Sequence, residues 1–210
     1  MKYVFWDWNG TLLDDFDASI GAFNDELLLW GVRPVTPEFY RENFAFPVRG
    51  FYERAGLDLS RVDWDALARR YHDNYLVRPT RLNPETVAAL ELVRSAGGGQ
   101  SIVSALRDDY LQEAVGRAGV VNYMEFVRGS DNLNGASKLD RTRELLAEVR
   151  ALHPDAEITM IGDAVHDAEV ACELGLGCVL CGCGGHSLRR LKAIAPAYES
   201  LLEATRAALR

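Results

Sequence analysis

Polar residues stand at the ends of three predicted strands. Asp7 follows the apolar run YVFW, and Ser104 follows SIV. The segment GDAVHD places Asp163 directly after ITMIG, with Asp167 four residues further on. Ligands of open parallel sheets bind beyond the carboxyl ends of the strands. Carboxylates gathered at such an edge can bind a divalent cation, and one of them can act as a nucleophile.

Lys138 is a further candidate because lysine is rare in this chain. The sequence has three lysines, Lys2, Lys138 and Lys192, against twenty arginines. Ser137 and Asp140 form with it the stretch SKLD, a Ser-x-x-Asp pattern that resembles a capping box and indicates a helix N-terminus. A compact ammonium on a flexible stem suits a single phosphate or carboxylate oxygen. A solvated lysine at a helix start is the alternative.

Each candidate also has a purely structural explanation. Asp163 and Asp167 can serve as a turn residue and a helix N-terminal charge, and Ser104 can cap a strand end. These roles do not explain why the candidates converge on one edge of the sheet. We expect His166, between the two acids, to be structural or exposed and not catalytic.

Five short apolar or β-rich runs predict the strands that position these residues. They are YVFWD (3–7), SIVSA (101–105), MEFVRG (124–129), ITMIGD (158–163) and GCVLC (177–181). Helical patterns separate the last four. The sequence therefore predicts an α/β fold, with a Rossmann-like parallel sheet of about five strands and helices on both faces.

A long interval without strand signals separates the first two predicted strands. It spans about ninety residues, too many for one crossover or a plain loop. Apolar residues recur there at helical spacing: Phe16, Ile20, Phe23, Leu27 and Trp30, then Trp64, Leu67, Tyr71 and Tyr75. Thr36 and Pro37 predict a further helix N-terminus. We therefore predict an all-helical cap over residues 16–82, inserted into a core formed by residues 1–15 and 83–210.

The overall charge argues against two classes of partner. The formal net charge is -8 at pH 7, whereas nucleic acids and anionic membranes attract clustered Lys and Arg. We therefore expect neither partner, and any bound phosphate must be held locally, with a metal.

The N-terminus and the cysteines bear on location. The N-terminus lacks the features of a signal peptide, and no apolar run is long enough to span a membrane. The four cysteines fall within residues 172–183 instead of spreading as a disulfide framework would. This clustering fits a reducing compartment, and a zinc site is the less favoured alternative. We expect a cytoplasmic protein.

Taken in order, these motifs resemble those of the haloacid dehalogenase superfamily. DWNGT with LLDD, Ser104 after SIV, Lys138 and GDAVHD are similar to its four motifs, and the helical insert is similar to its cap. GDAVHDAEVA resembles the phosphoglycolate-phosphatase-like branch. The resemblance spans nearly the whole chain. It implies a Mg²⁺-dependent phosphatase that acts on a small phosphorylated metabolite through an aspartyl-phosphate intermediate, as a monomer or small homo-oligomer.

The resemblance implies a role for each candidate. Asp7 is expected to attack phosphorus, Ser104 to hold a phosphoryl oxygen and Lys138 to offset the crowded carboxylates. The implied catalytic positions are Asp7, Asn9, Ser104 and Lys138. The implied Mg²⁺ ligands are Asp7, the backbone carbonyl of Asn9, Asp163 and Asp167, the last directly or through water.

Substrate binding is expected from the loop after Asp7 and from the cap. Gly10 permits a sharp bend, and backbone N–H groups of the loop, with Thr11, are expected to hold phosphoryl oxygens. Arg49 lies in the cap stretch FPVRG. There it can pair with an acidic group of the substrate, or it is an exposed arginine without such a role.

Asn9 departs from the family pattern, which usually has Asp two residues after the nucleophile. That Asp protonates the leaving group and later activates water, so its loss removes general acid–base catalysis, typically about 10² to 10⁴ in rate. We expect a slow phosphatase, or one that relies on a good leaving group, on Asp14 or Asp15, or on an acidic group of the substrate. The alternative is a catalytically impaired protein that binds a phosphorylated ligand or regulates. A further hypothesis is that deamidation at Asn9-Gly10 restores the carboxylate.

Overall fold

The computed structural model describes residues 1–131 and 138–210. Its strands are β1 (Lys2–Trp6), β2 (Leu13–Asp14), β3 (Arg81–Leu82), β4 (Gly99–Arg107), β5 (Val127–Ser130), β6 (Glu157–Gly162), β7 (Gly177–Cys181) and β8 (Ala197–Tyr198). Its α-helices are α1 (Phe16–Leu29), α2 (Pro37–Asn43), α3 (Val48–Arg54), α4 (Trp64–Leu76), α5 (Thr86–Ser95), α6 (Asp108–Ala118), α7 (Leu139–Leu152), α8 (Val165–Glu173), α9 (Leu188–Lys192) and α10 (Leu201–Ala208). None of these helices has the length and apolar character to cross a membrane.

Six of the strands form one parallel sheet. Their order is β5-β4-β1-β6-β7-β8, and helices cover both faces, which confirms the predicted fold class. All five predicted strands are present. The sixth, β8, has two residues and follows Pro196, so it is too short to leave a recognisable apolar pattern.

β1 lies in the middle of the sheet and contributes to the core on both faces. Val4 and Trp6 pack into the cluster that includes helices α5, α6 and α10, whereas Tyr3 and Phe5 pack on the opposite side against α7 and α8. This alternation follows from the two-residue period of a strand. All four side chains are buried, as expected for a central parallel strand.

A helical insert connects β1 to β4, as predicted. Helices α1 to α4 lie between β2 and β3, and these two short strands pair antiparallel, with Leu13 opposite Leu82 and Asp14 opposite Arg81. The ribbon was not predicted because two-residue strands carry no periodicity. It brings together the two ends of the insert. The exact domain boundaries, residues 16 and 82, stay a prediction.

The insert has its own aromatic core. The Phe23 ring lies 4.5 Å from the centre of Phe51 and 4.5 Å from that of Tyr52. Four residues of the predicted apolar stripe are buried in this cluster, and the fifth, Trp30, follows α1 and is partly buried against it. Thr36 begins α2 as predicted, because its side chain accepts a hydrogen bond from the backbone N–H of Phe39 at 3.2 Å.

The cysteines differ from the expectation of four reduced thiols. Cys181, the last residue of β7, forms a disulfide with Cys183 across one intervening residue, with the Cα atoms 5.4 Å apart. This separation lies within the range that a disulfide requires. Cys172 and Cys178 are free.

Candidate active site

The register of the sheet brings the candidate residues to one edge. Trp6 lies opposite Ile102 of β4 and Ile161 of β6, and the backbone N–H of Asp7 donates to Ile161 at 2.9 Å. The carboxyl ends of the three strands therefore lie side by side. β4 continues past Ser104 to Arg107, but its pairing with β5 is irregular between Val103 and Arg107.

A buried ion-pair cluster lies at this edge. The Lys138 ammonium is 2.6 Å from Asp7 Oδ1 and 2.5 Å from Asp167 Oδ1. Only 3% of Lys138 and 1% of Asp167 are exposed. A buried pair at this spacing interacts strongly because little water screens it. The two carboxylates keep the pKa of Lys138 above its usual value despite burial, so the ammonium stays charged.

Asp163 is the carboxylate of the cluster that no cation pairs with, as far as the described residues go. Its Oδ2 accepts the backbone N–H of Gly185 at 2.5 Å, and Thr11 Oγ1 donates to its Oδ1 at 3.4 Å. Burial, then repulsion from Asp7 and Asp167, raises its pKa well above the ordinary value. Burial also raises the pKa of Asp7 to about 6, although Lys138 opposes this shift. The cluster thus holds more negative charge than Lys138 neutralises.

The donor set fits a hard divalent cation. Asp7, Asp163 and Asp167 each offer a carboxylate oxygen within 4.8 Å of the others, and all three are buried. In residues 1–131 and 138–210 no other group of His, Cys, Asp and Glu has this spacing. Both oxygens of Asp167 are already engaged, one by Lys138 and the other by the backbone N–H of Ala164 at 3.0 Å. Oxygen-only donors and excess negative charge are what Mg²⁺ requires.

The loop after Asp7 needs glycine at its bend. Gly10 has φ of 76°, in the left-handed region, and a Cβ placed on it would lie 2.5 Å from Asp163 Oδ2. Its neighbour Thr11 is fully buried and also donates to Asp7 Oδ2 at 3.4 Å. The predicted loop residues Gly10 and Thr11 are therefore packed against the carboxylate cluster.

The side chain of Asn9 is held by a buried carboxylate. Its Nδ2 donates to Asp15 Oδ2 at 2.8 Å and to the Tyr75 hydroxyl at 2.7 Å, while Tyr75 donates to the same Asp15 oxygen at 2.8 Å. On its other side, Asn9 Oδ1 accepts from the hydroxyl of Ser104 at 3.4 Å. Asp15 also accepts the backbone N–H of Gly10 at 2.8 Å. Burial raises the pKa of Asp15, and these donors oppose the shift.

A cavity of about 180 Å³ opens between the cluster and the helical insert. Its floor includes Asp7, Asn9, Lys138 and Asp163. Its walls are largely aromatic and aliphatic and include Phe16, Phe44, Phe46, Trp64, Leu67 and Tyr71. Ser104 also lines it. A concave pocket with carboxylates at one end and apolar walls at the other is typical of a small-molecule site.

Two sequence candidates do not line the cavity, and a third is outside the described residues. Arg49 is exposed and does not line the cavity; its guanidinium lies 5.6 Å from the ring centre of Trp64. We therefore leave it out of the site. Asp14 pairs with Arg81 at 2.9 Å, so of the two alternative carboxylates only Asp15 reaches the cavity. The predicted cap by Ser137 lies outside the described residues, whereas Lys138 directly precedes α7.

Two residues of the cavity were not anticipated. His166, expected to be structural or exposed, lines the cavity with its Nε2 buried and lacking a hydrogen-bond partner among the described residues. Tyr75, which secures Asn9, was predicted only as part of an apolar stripe. Tyr75 lies 66 residues from Asn9 along the chain, so no local sequence pattern indicates their contact. The position of His166 between Asp163 and Asp167, in contrast, indicates that it lies near the site.

Solved structures share this fold over nearly their full lengths. A predicted phosphatase from Clostridium acetobutylicum superposes with a TM-score of 0.78 at 19% identity, covering 99% of this chain and 98% of the other. A predicted phosphoglycolate phosphatase from Haemophilus somnus gives 0.73 at 17% identity, with 99% and 97% covered. Protein Tyrosine Kinase A from Mycobacterium tuberculosis gives 0.78 at 21% identity, also with 99% and 97% covered. At these identities the likeness concerns the fold alone.

Sequence comparison supplies the family. None of the curated proteins compared with this chain matches it. The family model described as haloacid dehalogenase-like hydrolase matches residues 4–181, a span that runs from β1 through β7 and includes every residue of the carboxylate cluster. The match confirms the resemblance found in the motifs. The chain belongs to the haloacid dehalogenase-like hydrolase family.

Proposed function

We propose that this protein is a Mg²⁺-dependent phosphomonoesterase that acts on a small phosphorylated molecule through an aspartyl phosphate on Asp7. The observation that carries the proposal is the buried cluster at the carboxyl edge of the sheet, where Asp7 contacts Lys138 at 2.6 Å and opens onto a cavity. A carboxylate so placed can act as a nucleophile, while the Lys138 ammonium and Mg²⁺ would counter the charge of the phosphate.

Each half of the reaction makes a separate demand on the chain. In the first, an oxygen of Asp7 bonds to phosphorus, and the bond from phosphorus to the leaving oxygen breaks with its electron pair. In the second, the oxygen of a water molecule bonds to phosphorus, the bond from phosphorus to Asp7 breaks with its electron pair, and the released phosphate keeps the protons of the water. Lys138 holds Asp7 in place, and Ser104, Thr11 and the loop N–H groups are proposed to hold phosphoryl oxygens.

The proposed metal ligands are Asp7, the backbone carbonyl of Asn9, Asp163 and Asp167. Mg²⁺ bound there supplies positive charge that lets an anionic phosphate approach a carboxylate. Asp163 is the main support for this assignment, because its carboxylate lacks a cation partner among the described residues and its pKa is strongly raised. Because both oxygens of Asp167 already have partners, Lys138 and the backbone N–H of Ala164, Asp167 would bind the metal directly or through water.

Asn9 makes the second half-reaction the slow one. An amide neither donates a proton to a leaving oxygen nor removes one from water. The side chain is also held by Asp15 and Tyr75 at 2.8 and 2.7 Å. We therefore propose that the aspartyl phosphate accumulates during turnover.

The names of structural neighbours are compatible with phosphoryl transfer. Two are called phosphatase or phosphoglycolate phosphatase, and a third is called a protein tyrosine kinase. These names belong to those proteins. We further propose residues 16–82 as the cap over a core of residues 1–15 and 83–210, in a protein that is a monomer or small homo-oligomer.

A pre-steady-state assay tests the proposal. The enzyme is mixed with 4-nitrophenyl phosphate and Mg²⁺, and nitrophenol release is followed by stopped flow. We expect a burst of about one equivalent per enzyme, then a slow phase, because a covalent intermediate that hydrolyses slowly produces a burst. Asp7→Asn is expected to abolish both phases. Asp14→Asn, which changes a carboxylate of the same loop that pairs with Arg81 outside the cavity, is the matched control and should retain both.

A second candidate function rests on Asn9. The hydrogen bonds that hold its side chain leave the site without an acid at that position, so the protein can instead bind a phosphorylated ligand without turning it over. This alternative predicts Mg²⁺-dependent phosphate binding with no nitrophenol burst. A burst that Asp7→Asn removes would exclude it.

A further inference from the structure

The cavity walls have a chemistry that the family assignment does not specify. Beyond the carboxylate floor, the insert contributes mainly aromatic and aliphatic side chains, among them Phe44, Phe46, Trp64 and Leu67. We infer that the substrate is the phosphate monoester of an aromatic alcohol that carries no second negative charge. This inference rests on the proposed function and names the substrate class of the same site.

The charges that face the cavity disfavour a second anionic group. Four carboxyl groups line it, those of Asp7, Asp15, Asp163 and Asp167, against the single ammonium of Lys138. No arginine lines it, as far as the structure describes the chain, and residues 132–137 contain neither Lys nor Arg. A substrate carboxylate would therefore be buried without a cation, which is strongly unfavourable.

None of the nine arginines in residues 16–82 lines the cavity, and three of them show where such side chains lie. Arg49 lies near the ring of Trp64, Arg41 lies over the ring of Phe16 at 3.8 Å, and Arg70 pairs with buried Glu26 at 2.7 Å. None of the three lines the cavity. The insert therefore supplies no partner for a carboxylate such as that of phosphoglycolate.

The volume of the cavity suits one ring. An engineered cavity of about 150 Å³ lined by Leu, Ile and Phe binds benzene, and this one measures about 180 Å³. Aromatic side chains also provide offset and edge-on contacts to a ring. An aliphatic polyol would instead place several hydroxyl groups against walls that are mostly apolar, which is unfavourable for each hydroxyl group left without a partner.

Asn9 favours the same class on chemical grounds. When Asp7 attacks phosphorus, the bond to the ester oxygen breaks with its electron pair, and no acid at position 9 protonates that oxygen. A phenol, with a pKa of about 10 as in tyrosine, leaves as the phenolate and takes its proton from water afterwards. An aliphatic alkoxide is far more basic and needs protonation as it leaves.

Two residues that line the cavity carry buried polar atoms without a partner among the described residues. The Tyr52 hydroxyl and His166 Nε2 both belong to cavity residues and have no hydrogen-bond partner in the described part of the chain. Only 1% of Tyr52 is exposed. Buried polar groups are normally hydrogen-bonded, so these two atoms are exceptions in an otherwise largely apolar wall.

The test compares isosteric substrates. Values of kcat/KM are measured with Mg²⁺ for 3-carbamoylphenyl phosphate and 3-carboxyphenyl phosphate, which differ in one negative charge, and for phenyl phosphate and phosphoglycolate. We expect kcat/KM for 3-carbamoylphenyl phosphate to exceed that for 3-carboxyphenyl phosphate by at least about tenfold. We expect kcat/KM for phenyl phosphate to exceed that for phosphoglycolate by at least about a hundredfold. In each pair the slower substrate carries a carboxylate that would be buried without a cation. Phe46→Lys, at a half-buried wall position, should narrow the first ratio, and Phe46→Met should preserve it.

The outcomes separate the two claims. A higher Asp7-dependent kcat/KM for phosphoglycolate than for phenyl phosphate overturns the substrate class but leaves the phosphatase proposal standing. Equal rates for the isosteric pair, or a ratio that Phe46→Lys leaves unchanged, also overturn the substrate class. No turnover of any ester and no phosphorylation of Asp7 overturn the proposed function, and the substrate class with it.

Discussion

Asn9 donates its side-chain N–H to the buried carboxylate of Asp15 across 2.8 Å, two residues after the proposed nucleophile. Tyr75 of α4 donates to the same oxygen at 2.8 Å and accepts from Asn9 at 2.7 Å, so α4 is tied to the nucleophile loop through both Asp15 and Asn9. Any acid introduced at position 9 would face Asp15 directly. The effect of Asn9 therefore depends on its hydrogen bonds with Asp15 and Tyr75, and not on position 9 alone.

Restoring the acid should require two changes. Asn9→Asp alone places two carboxyl groups at hydrogen-bond distance, where they share a proton and neither acts freely. We expect a small gain in steady-state turnover from Asn9→Asp and a gain of about 10² or more from Asn9→Asp combined with Asp15→Asn, since general acid–base catalysis typically contributes at least this much. Asp15→Asn alone is the control. Full recovery by Asn9→Asp alone would show that Asp15 does not restrain position 9.

Lys138 should contribute far more to activity and stability than a surface lysine at the same distance from its partner carboxylate. Lys138 lies 2.6 Å from Asp7 and Lys2 lies 2.6 Å from Glu157, but only the first pair is buried. Removing one partner of a buried pair typically costs about 3 to 5 kcal/mol, whereas exposed pairs contribute about 0 to 1 kcal/mol. We expect Lys138→Met to abolish the nitrophenol burst and to lower the free energy of unfolding by several kcal/mol. Lys2→Met should leave both nearly unchanged in urea unfolding and stopped-flow assays.

The carboxylate cluster should make the metal-free protein less stable as pH rises. In the folded protein the pKa of Asp7 is raised from 3.8 to about 6, and that of Asp163 is raised well above its ordinary value. Between pH 4 and 6 the folded state binds more protons than the unfolded state, so stability is lost across this window. The melting temperature without Mg²⁺ should therefore be lower at pH 7 than at pH 5, and Mg²⁺ should raise it more at pH 7.

Asp163→Asn isolates this effect. It removes the carboxylate that has no cation partner among the described residues, so the metal-free variant should be more stable than the wild type at pH 7, by on the order of 1 kcal/mol. The stabilisation by Mg²⁺ should disappear. An unchanged Mg²⁺ shift in the variant would exclude Asp163 as a ligand.

Replacing Gly10 should abolish activity because a Cβ there meets Asp163, and Gly31 provides the control. Gly10 and Gly31 have φ of 76° and 72°, but only at Gly10 does a Cβ approach another group, Asp163 Oδ2 at 2.5 Å; at Gly31 it meets nothing within 4 Å. Alanine in this backbone region costs about 1 to 2 kcal/mol at either site. We expect both Ala variants to lose stability in thermal melts and only Gly10→Ala to lose the Mg²⁺-dependent burst. Retained burst kinetics in Gly10→Ala would contradict the packing of this loop against Asp163.

The residues at the sheet edge were predictable because each follows a strand with a strong local signal. Asp7 and Asp163 come directly after buried apolar runs, and a parallel sheet aligns such ends whatever the strand order. Lys138 was detectable because lysine is rare here. Because parallel strands have their carboxyl ends at the same edge of the sheet, a correct fold class was sufficient to predict that these residues lie at that edge.

Contacts between distant segments were not predictable. Tyr75 lies 66 residues from Asn9 along the chain, and Arg81 lies 67 residues from Asp14. The spacing of apolar residues within a helix does not indicate which of its side chains reach the carboxyl edge of the sheet. The sequence leaves open whether Arg49 binds an acidic group of the substrate or is an exposed arginine. It is exposed, and its guanidinium lies near the ring of Trp64, a residue of the cavity wall. The aromatic stripes predicted the helices, whereas the apolar cavity they enclose depends on how the helices pack over the sheet.

The most direct test is to trap the covalent intermediate. Wild-type enzyme mixed with 4-nitrophenyl phosphate and Mg²⁺ is quenched in acid during the burst, and its intact mass and peptide masses are measured. We predict the added mass of one phosphoryl group on the peptide that contains Asp7, lost on treatment with hydroxylamine and absent from Asp7→Asn. The same spectra report whether Asn9 has deamidated. Turnover without any phosphorylated Asp7, or a phosphoryl group that persists in Asp7→Asn, would contradict the account.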